Sequence, residues 1–341
     1  MKQRGIFPSQ NYVVVIGDIH GDFIKLLCIL EDAKIIEKKK TNICISTIDY
    51  DCDNWNWIAK PGTMVVQVGD IFDGHRPTSS DDFEDMELET YNFLIKLKKQ
   101  ALTKKGDVIL LIGNHEIMNF QGTYKYVTNS SMGRCLTING EEIEYKLEKR
   151  KKCNDRAKLF KLGGHLGISM AKHMYGIVQI GKSIICHAGL DYNLALKYNF
   201  DLSLMNKILQ AYLSNNLENA SAIENASIAE AFNDIYGDEG LIWHRDIAYD
   251  EPSSCSNMQK TLKNLKLLDD PKKTAERMIV GHTIQPDGIA KKCKNKKKQL
   301  WAIDVGMSDA FRGKKKTIQY IVIKNDNKPE INECVISDKC N

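Results

Sequence analysis

No Cys-x-x-Cys pair occurs among the 10 cysteines of the sequence, which excludes a zinc ribbon and a thioredoxin-type motif. Long apolar runs are missing too, and the opening MKQRGIFPSQNYVVVIGD carries basic residues without the apolar segment of a secretory signal. A soluble, intracellular protein is expected, cytoplasmic or nuclear, with no membrane partner and with its cysteines as free thiols in a reducing compartment. Sequons such as Asn225-Ala226-Ser227 then carry no meaning, because glycosylation requires secretion. Charge of one sign is also scarce: 48 Lys and Arg against 44 Asp and Glu leave +4, too weak a bias for a dedicated nucleic-acid binder. No Pro/Gly/Ser-rich linker divides the chain, so residues 1–341 are read as one domain.

What is present is a chain of 341 residues, 43% of them hydrophobic, enough to bury a full core. Short β-branched runs recur and stop abruptly. Val13–Ile16 ends at Gly17-Asp18, and a second strand ends at Val68 before Gly69-Asp70. A third ends at Ile112 before Asn114 and His115, a fourth at Cys186 before His187, and the last at Val280 before Gly281-His282. Each strand delivers to its C-terminal end a residue able to bind metal or move a proton, and the crevice beyond the carboxyl ends of strands is where α/β folds bind ligands. Taken singly, each Gly-Asp is as well read as a turn and each His as a core histidine. Taken together, Asp oxygens, an Asn carbonyl and His nitrogens suit Mn, Fe or Zn in a dinuclear centre, and the absence of Cys ligands disfavours structural zinc. One carboxylate shared by two cations is the arrangement of two-metal hydrolysis.

Helical patterns such as DFIKLLCILEDAKII and DMELETYNFLIKLKKQAL alternate with these strands, which argues α/β. Residues 191–236 have helical spacing and lie between His187 and Arg245, so they read as a helical insertion able to cap the site. The segment ISTIDYDCDNWNW, 45–57, reads as a surface excursion. GIVQIGKS, 176–183, satisfies the P-loop pattern, but its loop positions are bulky and a strand follows, so Gly181-Lys182 is read as a hairpin turn. The basic clusters KRKK (149–152), KKCKNKKK (291–298) and GKKK (313–316) lack the interleaved aromatics of a stacking platform, and nucleic acid is not the expected partner.

The motifs Gly17-Asp18-Ile19-His20-Gly21, Gly69-Asp70-Ile71-Phe72-Asp73-Gly74, Gly113-Asn114-His115-Glu116, His187 in CHAGL and His282 in GHT resemble those of the calcineurin-like metallophosphoesterases, and within them the phosphoprotein phosphatases. GNHEIMNFQGTYKYVT, LIWHRD and IDVGMSDAFRG are similar to the Shewanella-like branch. The resemblance implies two packed mixed β-sheets flanked by helices in a single catalytic domain. It implies Asp18 and His20 on one metal, Asp70 bridging, and Asn114, His187 and His282 on the other. His115 would be the general acid, oriented by Asp73, and Arg245 the phosphate-clamping arginine. It further implies hydrolysis of phosphomonoesters, above all phosphoserine and phosphothreonine in proteins, by hydroxide activated between the metals. A nucleotide phosphoesterase such as a diadenosine tetraphosphate hydrolase is the alternative, with a catalytically weak binding protein behind it. The sequence departs from the pattern at position 74, where the family has arginine and this chain has Gly74 with Arg76 two places on. Either Arg76 reaches the phosphate from a re-shaped loop or that clamp is gone. Cysteine-phosphatase chemistry is excluded, since no cysteine has arginine six residues on.

Overall fold

The computed structural model describes residues 4–39, 54–76, 85–133, 135–139, 142–146, 155–216, 227–249, 251–293, 298–311 and 317–336. The strands are β1 Ile6–Phe7, β2 Tyr12–Ile16, β3 Ile36–Lys38, β4 Trp55–Trp57, β5 Thr63–Gln67, β6 Asp107–Leu111, β7 Cys135–Asn139, β8 Glu142–Lys146, β9 Met174–Tyr175, β10 Ile177–Ile180, β11 Ser183–Cys186, β12 Arg277–Val280, β13 Ala290–Lys292, β14 Gln299–Ala302, β15 Ile318–Lys324 and β16 Glu330–Cys334. The helices are α1 Phe23–Asp32, α2 Glu87–Thr103, α3 Asn114–Phe120, α4 Asn129–Met132, α5 Arg156–Leu159, α6 His165–His173, α7 Tyr192–Lys197, α8 Leu202–Leu213, α9 Ile228–Tyr236 and α10 Pro252–Asn264.

Two six-stranded sheets dominate, ordered β16-β15-β2-β5-β6-β9 and β1-β10-β11-β12-β14-β13. Both are mixed: β2, β5, β6 and β9 run parallel beside antiparallel β15, and β11, β12 and β14 run parallel beside antiparallel β10 and β13. The apolar runs in the sequence are continuous because both faces of these strands are covered. Val13, Val15, Val66, Ile109, Ile185, Ile279 and Ile303 share one buried cluster. Their neighbours Val14, Ile16, Val65, Val108, Ile184, Met278 and Val280 belong to another, together with helical Leu26, Leu94, Met170 and Leu262. Side chains alternate across a strand, so the first set lies between the sheets and the second faces the helices.

Some of the helices start where a side chain offers an acceptor. Asp22 caps α1 by accepting from the Lys25 N–H at 3.2 Å, and Ser227 with Glu230 forms a capping box on α9. In the 191–236 region, α8 packs on β10 through Asn206, whose Oδ1 accepts from Gly176 N at 2.8 Å and whose Nδ2 donates to Ile177 O at 2.8 Å. Residues 217–226, which include Asn225, lie outside the described residues, as do 149–152, 294–297 and 313–316 of the basic clusters. β10 and β11 form a hairpin across Gly181-Lys182 with Ile180 opposite Ser183, as expected, so no phosphate loop exists there.

Two expectations are corrected. Cys28 pairs with Cys334 across 306 residues and Cys255 with Cys293, leaving Cys186 as the free cysteine among the described residues. Such pairings depend on which chain segments meet, α1 with the end of β16 and α10 with the end of β13, and sequence spacing does not reveal that. The tail of the 45–57 segment is not a surface excursion either: Trp55 and Trp57 are buried in β4, paired with β3, while residues 45–53 lie outside the described residues. No helix among the described residues is long and apolar enough to cross a membrane.

Candidate active site

The residues singled out in the sequence meet beyond the C-terminal ends of β2, β5, β6, β11 and β12. Asp70 stands at the centre. Its Oδ2 lies 3.8 Å from His20 Nε2, 3.9 Å from His115 Nε2 and 3.4 Å from His187 Nε2. His20, Asp70 and His115 form one group of side chains able to hold a metal ion, and Asp70, His187 and His282 a second, with Asp70 common to both. Asp18 and Asn114 complete the cluster, Asp18 accepting from the His282 N–H at 3.1 Å and Asn114 Oδ1 lying 3.0 Å from His187 Nε2.

The backbone is bent to achieve this. His20, Asp70, Asp73 and His282 have φ of 48°, 55°, 69° and 63°, left-handed conformations that cost non-glycine residues energy and gather at functional sites. Gly113 and Gly281 are needed for a different reason: a Cβ on either would collide with the carboxylate of Asp70 or of Asp18. Glu116 holds the Gly69–Phe72 turn. Its two oxygens accept from the N–H groups of Asp70 (3.0 Å), Ile71 (2.7 Å), Phe72 (3.2 Å) and Gly113 (2.6 Å).

Ring nitrogens are directed by backbone carbonyls. His20 Nδ1 lies 3.1 Å from Phe72 O and His187 Nδ1 2.9 Å from Val68 O, which places the proton there and turns each Nε2 toward Asp70. His115 differs: its Nδ1 meets Asp73 Oδ2 at 2.8 Å. Asp73 is fully buried, and its Oδ1 accepts from Asn119 Nδ2 at 2.8 Å and Arg156 Nη2 at 3.1 Å. Arg156 and Asn119 escaped the sequence reading, as did Glu87, and no motif flags them.

Arg76 points inward. Its Nη2 is 2.9 Å from His20 Nε2 and 3.4 Å from His115 Nε2, and its guanidinium stands 4.8 Å over the Phe311 ring and 5.2 Å over Tyr126. Arg245 is exposed, at the rim, and donates to His282 O at 3.2 Å. Trp243 lies edge-on to His282 at 5.8 Å, and His75 N donates to Tyr126 O at 2.8 Å. A cavity of about 630 Å³ beside β13, β14 and the turn before β16 contains none of these residues in its lining.

The donor set fits cations on electrostatic grounds. Burial, then neighbouring Asp304, pushes the Asp18 carboxyl well above its ordinary range. Burial likewise pushes Asp304 to about 6 and, with Asp70, Glu116 to about 7. Burial would raise Asp70 as well, but His187 and His115 hold it well below. Burial, then His187, lowers His282 to about 3, which keeps its ring nitrogen unprotonated and ready to ligate. Burial would lower His187, but Asp70 and Asp18 raise it to about 10, the response of an imidazole to buried carboxylates that a bound cation would stabilise in its place.

Comparison with known proteins shows the family. The family model of calcineurin-like phosphoesterases matches residues 12–286, and the chain belongs to that family. It is 27% identical over 303 residues to Shewanella-like protein phosphatase 1 of Plasmodium berghei, covering 87% of this chain and 67% of that protein. To Shewanella-like protein phosphatase 2 of Arabidopsis thaliana it is 26% identical over 331 residues, covering 89% and 73%. A solved cold-active protein tyrosine phosphatase shares the fold with a TM-score of 0.63 at 21% identity, covering 96% of this chain and 80% of that one. The chain is therefore a hydrolase of the phosphatase type.

Proposed function

We infer that the protein removes phosphate from phosphoproteins by direct hydrolysis at a two-cation centre held by Asp18, His20, Asp70, Asn114, His187 and His282. The observation that carries this reading is Asp70, whose carboxylate is common to two groups of side chains able to hold a metal ion; His115, a member of the first, is assigned to the proton instead because Asp73 takes its Nδ1. Two cations, Mn, Fe or Zn by the mixed O and N donors, would supply the charge that makes a water nucleophilic at neutral pH and polarises the phosphoryl oxygens.

The chain's own groups do the rest. His115, with Nδ1 held by Asp73 at 2.8 Å, gives a proton from its Nε2 to the departing serine or threonine oxygen as the P–O ester bond breaks. The new P–O bond forms to water, and phosphate and a hydroxyl side chain are the products. Arg76 brings its charge to the edge shared by His20 and His115 from two residues beyond Gly74, and Arg245 offers a second guanidinium at the rim. Both suit the charge that develops on the equatorial phosphoryl oxygens. The names of the phosphatase relatives support a phosphoprotein substrate.

The test is to strip the protein of metal, reconstitute it with Mn, Fe or Zn, and assay phosphoserine, phosphothreonine and phosphotyrosine peptides beside a dinucleoside polyphosphate. Peptide turnover with two equivalents of bound metal is expected. Cleavage of the dinucleoside polyphosphate alone moves the protein to nucleotide chemistry, and full metal loading without turnover of any substrate removes the enzymatic reading.

A further inference from the structure

Arg156 is 1% exposed, and an arginine so deeply buried requires partners for its charge. Its Nη2 donates to Asp73 Oδ1 at 3.1 Å and to Glu87 Oε2 at 3.2 Å, its Nη1 pairs with Glu87 Oε1, and its Nε donates to Asn119 Oδ1 at 2.6 Å. Phe160 closes the remaining side, with the guanidinium 4.9 Å over its ring. Asn119 in turn donates to Asp73 Oδ1 at 2.8 Å and to His115 O at 2.9 Å, and Glu87 Oε2 accepts from the Asp73 N–H at 3.0 Å. Glu87 and Asn119 are buried as well.

Two features of this arrangement go beyond packing. The donors divide the Asp73 carboxylate: Arg156 and Asn119 take Oδ1, and Oδ2 is left to His115. Glu87 meanwhile matches the Arg156 charge with two contacts of its own, so Asp73 is fixed in place with its Oδ2 turned to the imidazole. The grip acts on a residue whose φ of 69° disfavours its conformation.

We propose that Arg156, with Glu87 and Asn119, is a positioning unit that holds Asp73 so that His115 presents its proton to the leaving oxygen. This rests on the reading of His115 as the proton donor. A proton donor matters in proportion to the basicity of the leaving group: an alkoxide needs the proton, while a dinitrophenolate departs without it. A loss of general packing would instead slow all substrates alike.

The experiment measures kcat and KM of the manganese-loaded full chain on an alkyl phosphate, phenyl phosphate and 2,4-dinitrophenyl phosphate. The variants are Arg156→Met, Arg156→Lys and Asn119→Leu, with His115→Asn as reference and metal content and circular dichroism recorded for each. Arg156→Met is expected to cut kcat on the alkyl ester about 10–100-fold, as groups that orient a reacting residue do, with KM nearly unchanged. On the dinitrophenyl ester the loss is expected to stay below about threefold, because that leaving group needs no proton. Arg156→Lys should recover part of the alkyl activity. Asn119→Leu removes a donor to Asp73 without stranding a buried charge, so it carries the same test should Arg156→Met not fold. Equal losses on all three esters, or no loss, in a folded variant with full metal content overturn the proposal. If His115→Asn itself shows no dependence on the leaving group, the acid reading fails and the proposal falls with it; if only the Arg156 and Asn119 variants lack it, the acid reading stands alone.

Discussion

The two sheets contribute unequally to the site. The loops after β2 and β5 carry Asp18, His20, Asp70 and Asp73, the start of α3 after β6 carries Asn114 and His115, and the turns are braced by buried side chains. Glu116 grips four backbone N–H groups and Arg156 anchors Asp73. The loops after β11 and β12 carry His187 and His282, which are steered from across the interface: His187 Nδ1 leans on Val68 O, and the His282 N–H donates to Asp18. One sheet therefore builds the frame and the other docks two histidines into it. Damage to the frame should spread through the whole centre, and damage to the docked side should remain partial.

The largest effect is expected at the hub. Asp70→Asn should abolish binding of both metals and lower turnover by about 10³-fold or more, several kcal/mol of barrier, whereas His282→Ala should leave one equivalent bound. Metal analysis of the two proteins decides it, and equal loss in both would erase the distinction between frame and docked side. His115→Ala, within the frame but outside the proposed ligand set, should retain both metals and lose about 10²–10⁴-fold in kcat on phosphopeptides. Unchanged turnover would remove His115 as the acid.

Smaller effects separate the arginines. Arg76→Ala should cost about 10²-fold, since its guanidinium already lies against His20 and His115, and Arg245→Ala about tenfold from the rim. The reverse order in kcat/KM would place the main clamp on the docked side. Cys334→Ser should leave turnover at 25 °C intact and lower unfolding stability by about 2–5 kcal/mol in denaturant titrations. An unaltered midpoint would show that the bond does not constrain the chain.

The strands and the polar residues at their ends were legible because the chemistry is local. An apolar run ending in Gly-Asp or Gly-His announces itself within five residues, and the predicted ends at Cys186 and Val280 coincide with those of β11 and β12, while those near Val68 and Ile112 differ by one residue. Arg76 was legible only as a question. Its proximity to His20 depends on the turn at Asp73, with φ 69°, and on the aromatic walls of Tyr126 and Phe311. Arg156, Glu87 and Asn119 were invisible for a stronger reason: they come from three helices, and an isolated Arg or Asn in a helix gives no sign of the carboxylate it meets. The cysteine pairs misled in the same way, since Cys28 and Cys334 are brought together only by the packing of α1 beside β15 and β16.

The Cys28–Cys334 bond spans 306 residues and so nearly the whole molecule. Topologically, the denatured segment between these cysteines is then a ring rather than a string, with the Cys255–Cys293 bond closing a smaller loop inside it. A protease that cuts a surface turn once opens the ring without releasing a fragment, so nicking and dissociation become separate events. New termini placed in such a turn, with the bond retained, should yield circular permutants in which both halves of the site stay tethered through the covalent seam.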